Sequence, residues 1–266
     1  MRLTVSHKTT YRYDAPVDYA LQQLRLMPKN STGQSVISWS TEIDGGKKEA
    51  SYTDQHRNHV ELISFTPGTV EMTVTCAGEI ETTLKDGVVG RHVGLAPLWY
   101  FKRATNLTEP GPAIRKIARK AAAADDNDIA RMHLLMNDIA DTVAYQVGET
   151  GAETKAEAAL TSGHGVCQDH AHIFIAATRL MDYPARYVSG YLMLNDRVDQ
   201  DASHAWAEVY LPNIGWTGFD VSNRISPDER YVRVATGLDY REAAPMSGMR
   251  FGAGSEAMVV SLQVQQ

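Results

Sequence analysis

Along the first 85 residues the chain keeps a period of two. Leu3, Val5 and His7 share one face, then Ile37, Trp39, Thr41 and Ile43, then Val70, Met72, Val74 and Cys76, each set alternating with polar neighbours. Such alternation predicts half-buried strands, and Gly45-Gly46, Asp54 to Asn58 and Pro67-Gly68 supply turns between them. Several short strands at this spacing predict a small antiparallel β-sandwich. Cys76 points with Val74 and Met72 and is expected in the core, whereas His56 and His59 flank a turn and are expected at the surface or as capping groups.

Residues 97 to 112 read as a linker in which Trp99-Tyr100-Phe101 anchors onto a domain, and beyond it the period becomes helical. Ile114, Ile117, Ala118 and Ala121 form one stripe; Ile129, Met132, Met136, Ile139 and Val143 form a longer one. The Asp125 to Asp128 cluster is expected to cap the second helix, and Thr154-Lys155-Ala156-Glu157 matches a capping box opening a short third. Phe174, Ala177, Thr178 and Met181 continue a fourth until Tyr183-Pro184 stops it. Strands follow at Arg186 to Met193, Ser203 to Tyr210 and from Gly215, with a polar loop from Asn195 to Asp201 and a hairpin turn at Pro212 to Gly215. Tyr231 to Ala235 and Met258 to Val264 read as closing strands, and Ala244 to Gly254 as a loop. A helix laid on an antiparallel sheet makes an α+β core, so the expected division is a sandwich over residues 1–95 and a core over 96–266.

Composition narrows the function classes. At 266 residues the chain can hold one large or two modest domains, and 43% apolar with 22% charged residues is ordinary for a globular protein. A net charge of −6 argues against nucleic acid or an anionic membrane as partner. Residues 1–8 lack the apolar core of a signal peptide, and no stretch is long enough to span a bilayer, so a cytoplasmic location is expected. Two cysteines, neither in a CxxC pattern, support neither a disulfide framework nor a thiolate-rich zinc site.

The chemistry centres on Cys167. Gly163 and Gly165 form a flexible approach, and the helical pattern behind them puts Cys167 in the first turn, where unpaired N–H groups and the macrodipole favour a thiolate. Two antiparallel strands joined at Pro212 to Gly215 can set His204 beside Asp220 and present the imidazole to the thiol, giving nucleophile, base and orienter in chain order. A metal is the rival reading, because His164, Cys167 and His170 are spaced three apart and His172 and His204 could join them. On a helix, however, His172 lies five positions from Cys167 and points elsewhere, and one cysteine among histidines makes an unusual structural zinc site.

Gly163-His164-Gly165-Val166-Cys167-Gln168-Asp169-His170-Ala171-His172, Pro184 to Tyr191, Ser203 to Val209 and Trp216 to Asp220 together resemble the transglutaminase-like superfamily of papain-like thiol enzymes. The likeness to bacterial transglutaminase-like cysteine proteases extends to an N-terminal β domain, over Pro16 to Pro28, and to Arg230 to Gly237. It implies a papain-like core, a catalytic Cys167, His204 and Asp220, no cofactor, and a peptide or protein substrate cleaved through an acyl-enzyme. The backbone N–H of Cys167 is the expected oxyanion donor, a second donor is expected from Gln168 or an upstream residue, and Gln168, His164 and Trp206 are the candidate oxyanion or cleft residues. The family also holds cross-linking glutamyltransferases, and a non-catalytic binding module on a retired protease fold is the third reading.

Overall fold

A computed structural model describes residues 1–124, 127–252 and 254–266. The alternating N-terminal pattern folds as β1 (Arg2–Val17), β2 (Tyr19–Leu24), β3 (Gln34–Asp44), β4 (Gly46–Thr53), β5 (His59–Phe65) and β6 (Thr69–Thr82). Then come β7 (Val88–Gly90), a 3-10 turn over Leu98–Lys102, α1 (Pro112–Ala122), α2 (Asp128–Thr142), β8 (Ala144–Tyr145), α3 (Ala156–Ser162), β9 (His164–Gly165) and α4 (Cys167–Leu180). The chain closes with β10 (Ala185–Leu192), β11 (Asp199–Gln200), β12 (His204–Leu211), β13 (Gly215–Phe219), β14 (Tyr231–Gly237), α5 (Tyr240–Ala243), β15 (Met246–Phe251) and β16 (Glu256–Gln265). Among the described residues no helix is long and apolar enough to cross a membrane.

Two antiparallel sheets, ordered β11-β16-β1-β6-β3 and β15-β2-β5-β4, face each other across Tyr11, Tyr13, Leu24, Ile63, Met72 and Val74. Cys76 lies in this layer, and its burial raises the thiol pKa to about 11. The core sheet, β14-β10-β12-β13-β7, is antiparallel throughout. Helices pack on the face that carries Ala185, Tyr187, Ala205, Ala207, Val209 and Phe219. A third cluster, of Leu3, Val5, Ile80, Tyr191, Val232, Val234, Leu262 and Val264, joins the sandwich to the core.

Several local expectations need correction. Residues 244–254 are not simply a loop: β15 pairs with β2, Met246 opposite Leu24 and Phe251 opposite Tyr19. Its run Met-Ser-Gly-Met-Arg-Phe does not alternate, so its partner rather than its pattern makes it a strand. β16 pairs along β1 and β7 joins the core sheet, so strand pairing does not divide the chain at residue 95. Within the 125–128 cluster it is Asn127 that caps α2, accepting from the N–H groups of Ile129 and Ala130, with Asp128 in the first turn; Asp125 and Asp126 lie outside the described residues. Thr154 accepts instead from the Gly151 N–H, while Glu157 accepts from the N–H groups of Gly111, Ala113 and Ile114, capping the neighbouring α1. His56 is buried, not superficial, with its Nε2 2.8 Å from Glu242.

On the core-sheet face away from α4, Glu208 is fully buried between Arg186 and Arg233, with a 2.6 Å contact to each. Burial alone would push its carboxyl pKa up, but the two guanidiniums draw it down to about 2. Removing one member of such a buried set costs about 3–5 kcal/mol, so Glu208→Gln should be strongly destabilised at pH 7. A carboxyl whose pKa falls on folding contributes stability that is complete above its unfolded value and lost as pH falls through the folded one. Urea unfolding of both proteins should therefore show a gap that narrows between the ordinary value of 4.5 and about 2; a gap independent of pH would remove Glu208's role as a charged strut.

Candidate active site

Three local devices fix the cysteine. Gly163 ends α3 in the left-handed region at φ +77°, where a side chain would be strained, and its N–H returns to the Ala159 carbonyl. Gly165 then passes against Asp169 so closely that an added Cβ would lie 2.8 Å from the Asp169 Cβ. The buried Asp169 carboxylate accepts from the Val166 N–H at 2.8 Å and from Thr150 Oγ1 at 2.6 Å, closing the entry to α4. Cys167 is the first helical residue and is partly exposed, whereas positions 169–179 are buried.

His204 opens β12 and Asp220 follows β13, one step beyond the Ala207–Phe219 pair. The imidazole Nε2 lies 2.6 Å from Asp220 Oδ2. That oxygen also accepts from Tyr231 Oη and Asn223 Nδ2, each at 2.7 Å, and Asp220 is wholly buried. With Nε2 committed to the carboxylate, Nδ1 is the nitrogen left for the thiol. Burial alone would lower the imidazole pKa, but the Asp220 charge and hydrogen bond, with Cys167 acting in the same direction, raise it to about 10. Asp220 is held below its ordinary value against its own burial, chiefly by His204. Cys167, His204 and Asp220 are thus brought into one interacting group.

The other histidines are occupied elsewhere. His170 bonds Ser222 Oγ at 2.9 Å and the Val143 carbonyl at 3.0 Å. His172 accepts from the Tyr240 N–H at 3.1 Å, and burial lowers its pKa to about 3. His164 stands half-buried, 3.8 Å from Glu149. Among the described residues no three His, Cys, Asp or Glu side chains are grouped to hold a metal. Gln168 turns its amide to the Gly151 and Ala152 carbonyls at 3.4 and 3.3 Å, and so is directed at that loop. Trp206 is buried under the site, tilted against His204 and edge-on to Tyr231.

Tyr145 was not foreseen. β8 runs parallel to β9 with Tyr145 opposite Gly165, which carries the phenol to Cys167. Burial first, then Cys167 by charge and hydrogen bonding, raises its pKa to about 12, so it stays a protonated donor. Two-residue strands leave no pattern that would have marked it. Asn223 did leave one, the Asp-x-x-Asn spacing of a side chain folding back on a turn.

Two family models match the chain: the transglutaminase-like superfamily over residues 115–221 and the bacterial transglutaminase-like N-terminal region over residues 3–81. An uncharacterized protein of Mycobacterium leprae is 28% identical over 99% of this chain and 98% of its own. A protein-glutamine gamma-glutamyltransferase of Pseudomonas aeruginosa is 29% identical over 38% of this chain and 17% of its own. A solved structure from Cytophaga hutchinsonii, titled a "Putative Cysteine Protease", superposes with a TM-score of 0.79 at 22% identity, covering 100% of this chain and 91% of that one.

The two thiols differ in setting, one at an open helix start and one on an inward strand face. Iodoacetamide at neutral pH should therefore label Cys167 much faster than Cys76 in the folded protein, read by peptide mass spectrometry. Equal rates would remove the argument that helix and imidazole activate Cys167.

Proposed function

As the chain belongs to the transglutaminase-like superfamily, we propose that it is a thiol hydrolase that cleaves peptide or isopeptide carboxamides through Cys167, His204 and Asp220. The observation that carries this reading is an imidazole held on a buried carboxylate at 2.6 Å while it interacts with a thiol at a helix start.

With the imidazole raised to about 10, His204 is protonated at neutral pH and stands as acid beside the thiol. The thiolate adds to the carboxamide carbon, and the oxyanion is received by the Cys167 N–H and, in this reading, by Tyr145 Oη. Collapse breaks the C–N bond, and the His204 proton passes to the leaving amine. Water then attacks the thioester and gives a proton to the now neutral imidazole; the C–S bond breaks, releasing the acid. Asp220 keeps Nε2–H in place through both halves.

The same acyl-enzyme could instead be taken by a lysine amine, and the partial likeness to the Pseudomonas aeruginosa glutamyltransferase favours that as the second reading. Hydrolysis is preferred because the segment beside the thiol is open to water, with Tyr145 56% and Val147 79% exposed, whereas amine transfer needs water excluded. The test is mass spectrometry of a glutamine- and lysine-bearing peptide pool incubated with wild type and with Cys167→Ala, scoring cleavage, deamidation and cross-links. Cleaved or deamidated products from wild type alone support hydrolysis; cross-links as the main product would establish transfer, and no product from either would leave a binding module. Asp220→Asn should fold yet slow turnover by about 10³–10⁴-fold, and a kinetically silent variant would sink the orienter role.

Tyr145→Phe keeps the ring but removes the proposed donor. It should lower kcat by roughly 10²–10³-fold with KM and the iodoacetamide rate of Cys167 little changed. A loss confined to KM would make Tyr145 a substrate contact instead.

A further inference from the structure

On the sheet face away from α4, where the sandwich meets the core, lies a cavity of about 680 Å³. Lys29, Arg57, Arg91, Arg186 and Arg233 line it, and among the described residues no carboxylate does. That is an unusual concentration in a chain of net charge −6. Glu208, beneath the wall, is shared by Arg186 and Arg233. Glu208 takes Nε and Nη2 of both guanidiniums; among the described residues neither Nη1 has a protein acceptor. Arg186 is held flat on the Trp216 ring, 3.8 Å from its centroid, so its fork is fixed in advance. Lys29 donates to two neutral acceptors, the His56 carbonyl and Thr236 Oγ1, each at 2.9 Å, which leaves its third donor free.

We propose that this cavity binds a phosphate-bearing small molecule, a site separate from the thiol centre. Four guanidiniums and Lys29, set against Glu208 and, near Lys29, Asp54, leave an excess of positive charge that calls for a ligand with more than one negative charge, which a phosphate ester or diphosphate supplies and a single carboxylate does not. The volume falls within the roughly 300–1,000 Å³ of small-molecule sites, larger than inorganic phosphate alone needs. Burial, and then repulsion by Arg233 and Arg186, holds the Lys29 ammonium well below its ordinary pKa, and an anion at this place would relieve that repulsion.

Isothermal titration of the full chain with inorganic pyrophosphate, at low ionic strength and without metal, tests the site. Wild type and Cys167→Ala should both bind one equivalent with a dissociation constant below about 1 mM. Arg57 and Arg91 are exposed at the mouth, and Asn tolerates the positive φ of 61° at position 57. The double variant Arg57→Asn/Arg91→Gln should therefore keep the wild-type melting temperature and bind roughly tenfold or more weakly. Wild-type affinity in that variant, or heats that fit many weak sites and vanish at about 0.15 M salt, would overturn the proposal. Acetate binding as tightly as pyrophosphate would overturn the phosphate assignment.

Discussion

Glu208 is the interaction on which the core sheet turns. It sits opposite Arg186 on the neighbouring strand and is reached by Arg233 from β14 beyond, so one buried carboxylate ties three strands. A strand slipped by one residue turns every side chain to the other face. Here such a slip would also strand a buried charge, which makes register expensive to lose. His204 lies four residues earlier on the same strand, opposite Gly190, so the clamp that fixes Glu208 also fixes where the imidazole meets the helix.

The other face of β12 explains the helix. Ala205 and Ala207 are small, and α4 rests on them with Phe174 against Phe219. Covered by the sheet on one side and by α1, α2 and α3 around it, α4 has no solvent face between residues 169 and 179, and its buried Asp169, His170, His172, Thr178 and Arg179 are bonded inside the protein. Burial of residues 169–179 leaves α4 open only at its two ends, at Leu180 and at the first turn, which holds Cys167.

What was legible in the sequence is what depends on near neighbours. Period-two alternation gave β1, β3 and β6, although the register shift between Val36 and Ser38 leaves Ile37 exposed and Val70 is exposed too; helical stripes gave α1 and α2, and ordered blocks around Cys167, His204 and Asp220 marked the three groups that converge. What was not legible depends on partners distant in the chain. Glu157 has the spacing of a local cap, yet the nearest unpaired N–H groups belong to α1. His56 lies in a polar turn, but α5 arrives from near the chain's end to cover it. Ile129, read as part of the α2 stripe, is 38% exposed because the helix turns that end outward, while Leu135, which the stripe omitted, is buried.

The same distance effect explains why the cationic cavity could not be read at all. Lys29 and Arg57 come from the sandwich, Arg91 from the segment after β7, and Arg186 and Arg233 from the core strands, so the cluster exists only where both halves dock. Docking is enforced by the apolar seam of Leu3, Val5, Tyr191, Val232 and Leu262, and by the return of β16 onto β1. Like charges would not gather there unaided. The seam's apolar burial, at about 25 cal/mol per Å² removed from water, offsets their repulsion, and Glu208 neutralises part of it from below. The charges left over face an opening on the side of strands β10, β12 and β14 away from α4, and β12 carries Glu208 beneath that opening and His204 at its start, so one set of strands positions both.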